Sequence, residues 1–585
     1  MIRRALGART FQIGVVLVAV LLALLAWLVY SALQVKGDLE SARTDATQAR
    51  SSALDGDENG ARQAAEAAAD SARRAGERSH GVVWSAAAAI PWLGAPLDSV
   101  QQMSDAVADF STGVLVPSAQ LASVLNPSEI RSGDAINTEP LRAAQHELAA
   151  AAEKSTAIAN RVAAIEPTWL GVVGDAQQQL QEQVDQATAT LDGTNVAAQL
   201  VPSMLGGNGS RNYFLAFQTP SESRGTGGLV GGFAVLNATS GRLTVPTLGV
   251  NSVLRYPAKP LVDFGPDYDA IYSSFHPYTD HRNANLSPNF PDAARIWIAN
   301  WKKQTGQQLD GAMALDPVAL SYVLKVTGPV TLPGGEKITA ENVVPITLST
   351  SYERFAGDNE ARKIYLQSIA KAVVGQLGTS KGDAGAILEA LGHGVHERRI
   401  MVYSTRPQEQ RILETTNLAH QISDTASPYL QVALGNASGN KVDYYLRRDI
   451  DYRSGGCTGP VRESTVTVKL TNTLDDLSLP DYVIGSMGTR LDVPKGTSLT
   501  NVEMLTTKGA LIKQITVDGQ SPMYVEQTLN GRPYVATMVR IPPGQTVTVT
   551  LTLDEPTTDG EPDVPIQPLV DNPKVSVDVP VCGES

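Results

Sequence analysis

Cysteine is nearly absent from this chain, with two in 585 residues. That excludes a disulfide-dense mini-scaffold and a four-cysteine zinc site. Aromatic residues are scarce at 5%, so cores must be built mainly from alanine, valine and leucine. An excess of positive charge is missing too: 47 Lys and Arg face 60 Asp and Glu, for a net charge of −13. A general nucleic-acid binder needs a basic footprint to neutralise phosphates, and this chain has none. The common enzymatic signatures are also lacking. Gly225, Gly227, Gly228, Gly231 and Gly232 do not space as G-x-G-x-x-G, and no G-K-[ST] or G-x-S-x-G occurs. His146-Glu147 opens HELAA without the second histidine of H-E-x-x-H.

Hydrophobic residues at 42% and charged residues at 18% describe a folded chain rather than a disordered one. At roughly 100–200 residues per domain the length suggests three to four units. The single long apolar run is Phe11 to Leu33, 23 residues without a charge. As a helix it reaches about 34 Å, enough to cross a bilayer. Arg3, Arg4 and Arg9 precede it and no acid does, so the positive-inside rule places residues 1–10 in the cytoplasm. The rest then lies outside the cell membrane, attached by a single-pass signal-anchor. A cleaved signal peptide is the rival reading, but its apolar region runs only about 7–15 residues.

From Gln34 to about residue 205 the chain reads as an Ala-rich helical stalk. Ala42, Ala46, Ala49 and Ala53 recur at helical spacing, as do Ala61, Ala65, Ala68, Ala72 and Ala75. Pro91, Pro117 and Pro127 are expected to divide it into separate helices. Its most apolar part, Trp84 to Leu97, either caps the bundle or meets the bilayer surface. Asp55, Asp57, Asn59 and Glu66 with Gly60 fit the EF-hand loop D-x-[DN]-x-[DN]-G-x5-E. Arg62 stands where that loop needs an aliphatic residue, and no second loop follows. A solvated turn between helices is the competing reading.

Residues 206–438 read as a layered α/β domain. NYFLAFQ, GGFAVLN and RLTVPTL are strand-like, and helical patterns follow over Pro291–Thr305, Pro317–Val326 and Asn359–Leu377. Strands are expected at Gly311–Leu315 and Arg399–Tyr403. The pairs His276/His281 and His393/His396 lack further metal ligands in register. The unusual stretch is Gln218 to Phe233, where a strand ends, Glu222 and Arg224 follow, and glycines lead into the next strand. Such a loop suits either an anion-binding nest or a tight strand connection.

Residues 439–585 alternate with period two. Val466, Val468 and Leu470 alternate with polar partners, as do Val547, Val549, Leu551 and Leu553, and then Val575, Val577, Val579 and Val581. Asn530-Gly531 signals a hairpin. An immunoglobulin-like β-sandwich is the simplest architecture. Cys457 opens this module and Cys582 closes it. Outside the cytoplasm the two fit a disulfide, with two free buried thiols as the alternative. The fold class expected is thus α+β multidomain: anchor helix, helical stalk, α/β domain, sandwich.

NYFLAFQTPSESRGTGGLVGGFAVLNATSGRLTV resembles the core signature of domain-of-unknown-function family 4012, found in bacterial membrane-anchored proteins. RNANLSPNFPDAARIW, LDGAMALDP and TGPVTLPGGEKITAENV fit the same family in the same order. The resemblance spans Asn212 to Leu377 and implies a cell-envelope location but no activity. A second resemblance, to the LytR-CpsA-Psr phosphotransferases, rests on the same topology and on Glu222-Ser223-Arg224, which is similar to their first Asp-x-Arg motif. Arg362 would fall in a helix like their late Arg-rich helix, and Arg255 where they carry Pro-Arg-Asp, here without its carboxylate. It implies binding of a polyprenyl-pyrophosphate-linked glycan, with Mg²⁺. The primary expectation is a binding or scaffold module for envelope glycan or protein partners, with no cofactor. The transferase or hydrolase is the alternative.

Overall fold

The computed structural model describes residues 2–54, 57–121, 131–132, 135–255, 257–379, 384–487 and 491–582. The chain forms two compact units, Met1–Asn208 and Gly209–Ser585. It is a mixed α and β protein with an apolar helix at its N-terminus and several β-sheets.

The first unit is built on small side chains. Helix α1 (Ile2–Leu54) carries the expected span and runs on without a break. Among the described residues it is the one helix long and apolar enough to cross a membrane. Helix α2 (Glu58–Ser79) packs back along it. Its Ala61, Ala65, Ala68, Ala72 and Ala75 are fully buried, so the alanine stripe is the contact face. Arg78 closes one end by donating to Gln34 and Asp38 of α1. After the short α3 (Val82–Ala88) come α4 (Ala95–Phe110), α5 (Gln145–Ala163) and α6 (Gly171–Met204). Met103, Ile158, Val162, Val173 and Val184 form their shared core.

Pro117 does not break the helical run as expected. A π-type turn, Ser111–Leu115, links α4 to a further helical turn, Val116–Gln120, that includes the proline. A π turn relieves the hydrogen bond and clash that proline brings to a regular helix. Pro127 lies outside the described residues.

In the second unit, β1 (Arg211–Arg224), β2 (Gly227–Thr239), β3 (Arg242–Val250), β4 (Gly311–Leu315) and β5 (Ile400–Ser404) lie side by side in the order β3-β2-β1-β4-β5. β1 and β4 are parallel, with Phe217 opposite Leu315, and the neighbouring pairs are antiparallel. Helix α7 (Phe290–Thr305) covers one face, where Phe214 stacks between Phe233 and Trp297. Helix α8 (Pro317–Thr327) begins as expected at Asp316, whose Oδ1 accepts from the Ala319 amide at 2.9 Å. Helix α9 spans Asn359–Thr379.

Two further sheets follow. One has the order β6-β9-β12-β11, from Leu430–Asn436, Ser498–Thr506, Arg532–Ile541 and Tyr524–Leu529. The other has the order β10-β13-β8-β7-β14, from Leu511–Val517, Thr546–Pro556, Val461–Asn472, Leu446–Ser454 and Lys574–Asp578. Leu434, Val502 and Val539 of the first share one core with Ile450, Val468 and Val549 of the second. Asn530-Gly531 forms the two-residue hairpin turn, both residues at positive φ. β6 begins before residue 439, and another apolar cluster joins Phe214 and Trp297 to Tyr429, Leu505 and Tyr534. The two stretches read separately from the sequence therefore share a core.

One alternation misleads. Val575 and Val577 were expected on a buried face, but both are exposed. Their strand pairs only with β7, in parallel, at the edge of its sheet; beyond it, Val579 is buried and Val581 exposed. Cys457 and Cys582 are joined in a disulfide, with Cα atoms 5.5 Å apart.

Candidate functional site

The stretch from Gln218 to Phe233 is not an open glycine loop. β1 continues through Thr219–Ser223 with a register shift and turns back at Gly225-Thr226, so that Arg224 faces Gly227. The glycines serve close packing. A Cβ on Gly228 would lie 2.3 Å from the Thr219 backbone, and one on Gly225 would lie 2.1 Å from the Leu286 carbonyl. Gln218 and Asn285 hold this end from within. Asn285 Nδ2 donates to Gln218, Thr226 and the Gly228 carbonyl.

Glu222 and Arg224 are both buried. Arg224 Nη2 donates to Glu222 Oε1 at 3.0 Å, and its other donors reach the carbonyls of Arg282, Ser223 and Asn436. The second oxygen of Glu222 accepts from Lys441 Nζ at 2.5 Å. Burial pushes the Glu222 carboxyl up, but Lys441 and Arg224 outweigh it and hold it below the ordinary range. For Lys441, burial lowers and Glu222 raises, and the net direction is up. Next to this pair, Asp443 accepts from the Ser223 amide and hydroxyl at 2.8 and 2.7 Å. Its carboxyl is raised by burial against those bonds.

Arg362, on α9, lies 4.3 Å over the Tyr352 ring and 5.1 Å over Tyr482. Lys441 sits 4.9 Å from the same Tyr482 ring. Glu222, Arg224 and Arg362, all nominated by the sequence, thus belong to one chain of contacts, through Lys441, the buried Tyr352 and the exposed Tyr482. Arg255 does not join it: the residue is exposed, and its backbone amide donates to Gln304. Lys441, Asp443, Tyr352 and Tyr482 escaped sequence reasoning. Glu222 and Lys441 are 219 positions apart, and no local spacing marks such a pair.

A cavity of about 70 Å³ opens beside this cluster. Phe217, Val250 and Leu315 line it, so it lies at the carboxyl ends of β3 and β4 and beside the middle of β1, three strands running in the same direction. Ligands of α/β sheets favour that edge. Gly231, Gly232 and Gly249 add no side chains to the strand wall, and Leu366, Ile369 and Ala370 of α9 form the other. A water needs roughly 10–15 Å³, so the space takes several water-sized groups against a mostly apolar wall. Lys363 is the cation on its lining. Burial, then its neighbour Arg362, lowers its ammonium pKa. Such an amine suits an anionic group at the end of an apolar ligand.

The other candidates are not gathered into sites. Asp55 lies outside the described residues. Asp57 caps α2 by accepting from the Gly60 amide at 2.9 Å, and Asn59 and Glu66 are on the helix itself. His393 contacts Glu397 and the ring of Tyr322, while His281 is buried. Among the described residues no three His, Cys, Asp or Glu side chains are placed to hold a metal ion.

These features define a protein with one N-terminal helix long and apolar enough to cross a membrane, among the described residues, and a mixed α and β unit with a mostly apolar cavity at the ends of β3 and β4. Residues 208–352 match the profile of a family described as a protein of unknown function, DUF4012. The first resemblance is borne out over that segment, about a quarter of the chain. The match ends before Arg362. No curated protein and no solved structure matches the chain.

Proposed function

We propose that this protein is a single-pass, membrane-anchored binding module of the cell envelope. The cavity at the strand ends would receive the apolar part of an anionic amphiphile, such as a lipid-linked glycan precursor, with its acidic group against Lys363. The carrying observation is that Lys363 is the one cation on a mostly apolar lining whose one acid, Asp316, is already paired with Arg399, while Glu222 and Arg224 are held by internal partners. Arg3, Arg4 and Arg9 support a cytoplasmic N-terminus and an extracytoplasmic remainder. The two C-terminal sheets with a shared core support reading them as an immunoglobulin-like sandwich, a common adhesive module.

The test uses full-length protein in nanodiscs with a diazirine-bearing prenyl phosphate. Crosslinks are expected within residues 363–370, weakened by Lys363→Gln and abolished by Ala370→Trp, provided both variants keep the wild-type melting profile. Crosslinks elsewhere, indifferent to Ala370→Trp, would sink the proposal. The LytR-CpsA-Psr-like transferase reading is favoured by one observation, that Arg362 adjoins the cavity-lining Lys363. It requires turnover of a polyprenyl-pyrophosphate glycan with Mg²⁺, lost in Arg362→Ala. The locking of Glu222 between two cations speaks against a free catalytic carboxylate there.

A further inference from the structure

Two stretches of the first unit carry no charge: residues 81–97, and Pro167 to Gly174 at the turn into α6. They are 70 positions or more apart, yet the fold brings them together. The rings of Trp92 and Trp169 stack at 5.6 Å, and Trp169 Nε1 donates to the Trp92 carbonyl at 2.8 Å. Around them the surface is apolar and open. Trp92 is 70% exposed, Val172 66% and Val82 88%, with Ile90, Leu93 and Leu170 also uncovered. A soluble surface rarely leaves so much contiguous apolar area bare without an occupant.

The position of this face along α1 names the occupant. Trp84 packs with Val35 and Ala75, and Leu28 and Ala32 lie against that cluster. A methyl group on Gly81 would touch the Trp27 ring at 3.5 Å. The stretch therefore runs beside α1 from the level of Val35, at Trp84, to that of Trp27, at Gly81, and Trp27 lies nine residues before Lys36, the first charge after Arg9. That is about 13 Å along the helix toward the membrane. The charged ties of α2 to α1, from Arg78 to Gln34 and Asp38, lie on the other side of this level.

We propose that this end of the helical unit is a second membrane-contacting surface, in which Trp92, Trp169, Leu93 and Val172 enter the bilayer interface beside Trp27 and Tyr30. Trp and Tyr concentrate at that depth because an apolar ring and a polar tip are both satisfied there. A face of this kind is buried about 5–10 Å into the headgroup and acyl boundary. The outer membrane boundary then falls near Trp27 rather than Leu33, and the stalk is held upright by a collar as well as by its helix. The proposal rests on α1 crossing the membrane, and its test separates the two.

The native cysteines are paired, so a single introduced thiol can be labelled with an environment-sensitive fluorophore in full-length protein reconstituted into phosphatidylglycerol–phosphatidylethanolamine vesicles. Labels are placed at Leu22→Cys in the anchor, Leu93→Cys and Val172→Cys in the collar, and Arg50→Cys far along the stalk. Blue-shifted emission quenched by spin-labelled lipid is expected at positions 22, 93 and 172 and not at 50. Quenching at 22 without quenching at 93 and 172 would overturn the collar and leave the anchor standing. Loss at 22 would overturn the anchor and the collar with it. Labels at 93 and 172 that are shielded from water yet untouched by lipid quencher would place a second copy on this face and reject the proposal.

Discussion

The two units stabilise themselves by opposite means. In the first, α1 and α2 meet through alanines that are fully buried but remove little area each. Every tyrosine except Tyr30 lies in the second unit, where stacked and tilted aromatic rings fill the core. Buried ion pairs are likewise a feature of the second. Arg448 with Asp571, Arg462 with Glu555, and Arg399 with Asp316 are all almost wholly enclosed. The alanine bundle gains close helix approach between α1 and α2. The second unit has placed costly charges inside, and each must keep its partner. Its stability is therefore more fragile to single polar substitutions.

The largest contrast is expected from Glu222→Ala. It strands Lys441 and Arg224 in the interior, and breaking a buried pair in this way costs about 3–5 kcal/mol. Hydrogen exchange followed through a urea titration should show early opening of peptides within 209–585, with the α2 peptides unchanged. Equal loss in both units would contradict the division. The carboxyl is held below its ordinary range in the folded state. Its contribution is thus present above the unfolded pKa near 4.5 and is lost as pH falls through the folded value.

A pH dependence of opposite sign is expected from Glu503. Burial pushes this carboxyl up to about 7, against hydrogen bonds from Tyr272 and Asn501. Below pH 4.5 both folded and unfolded chains keep the proton. As pH rises from there through about 7 the unfolded chain ionises first, so stability falls. Glu503→Gln removes that slope. The variant should gain on the order of 2 kcal/mol over wild type between pH 5 and pH 8, read from the denaturation midpoint of the second unit. A parallel pH profile would reject the assignment.

What could be read from the sequence follows the same divide. The alanine stripe of α2, the start of α8 at Asp316, the strand Gly311–Leu315 and the Asn530-Gly531 hairpin are local patterns, and the structure carries each one. The valines at 575 and 577 failed because alternation says which residues share a face, not whether anything covers it. Glu222 and Arg224 were visible as an unusual pair, but their partner Lys441 and the ring of Tyr482 are distant in sequence. The cavity is made by residues of four strands, the start of α8 and one face of α9, so no single motif announces it. Tertiary closure supplied the part that periodicity lacked.

The smallest effect tests the first unit alone and decides what the Asp55–Glu66 motif does. Asp57 is exposed and accepts from the Gly60 amide at the start of α2. Residues 58–66 are drawn into that helix rather than wrapped as a twelve-residue loop. A lost N-cap costs about 1 kcal/mol, so Asp57→Ala should lower the unfolding midpoint of the α1–α2 peptides slightly. Asp57→Ser, which keeps a capping oxygen but has no charge, should restore most of it. Calcium at millimolar concentration should shift neither variant nor wild type if the aspartate acts as a cap. A calcium-dependent rise confined to wild type would instead return the motif to an ion-binding role. The comparison between units would then change, because the alanine rod would depend on a ligand where the aromatic unit does not.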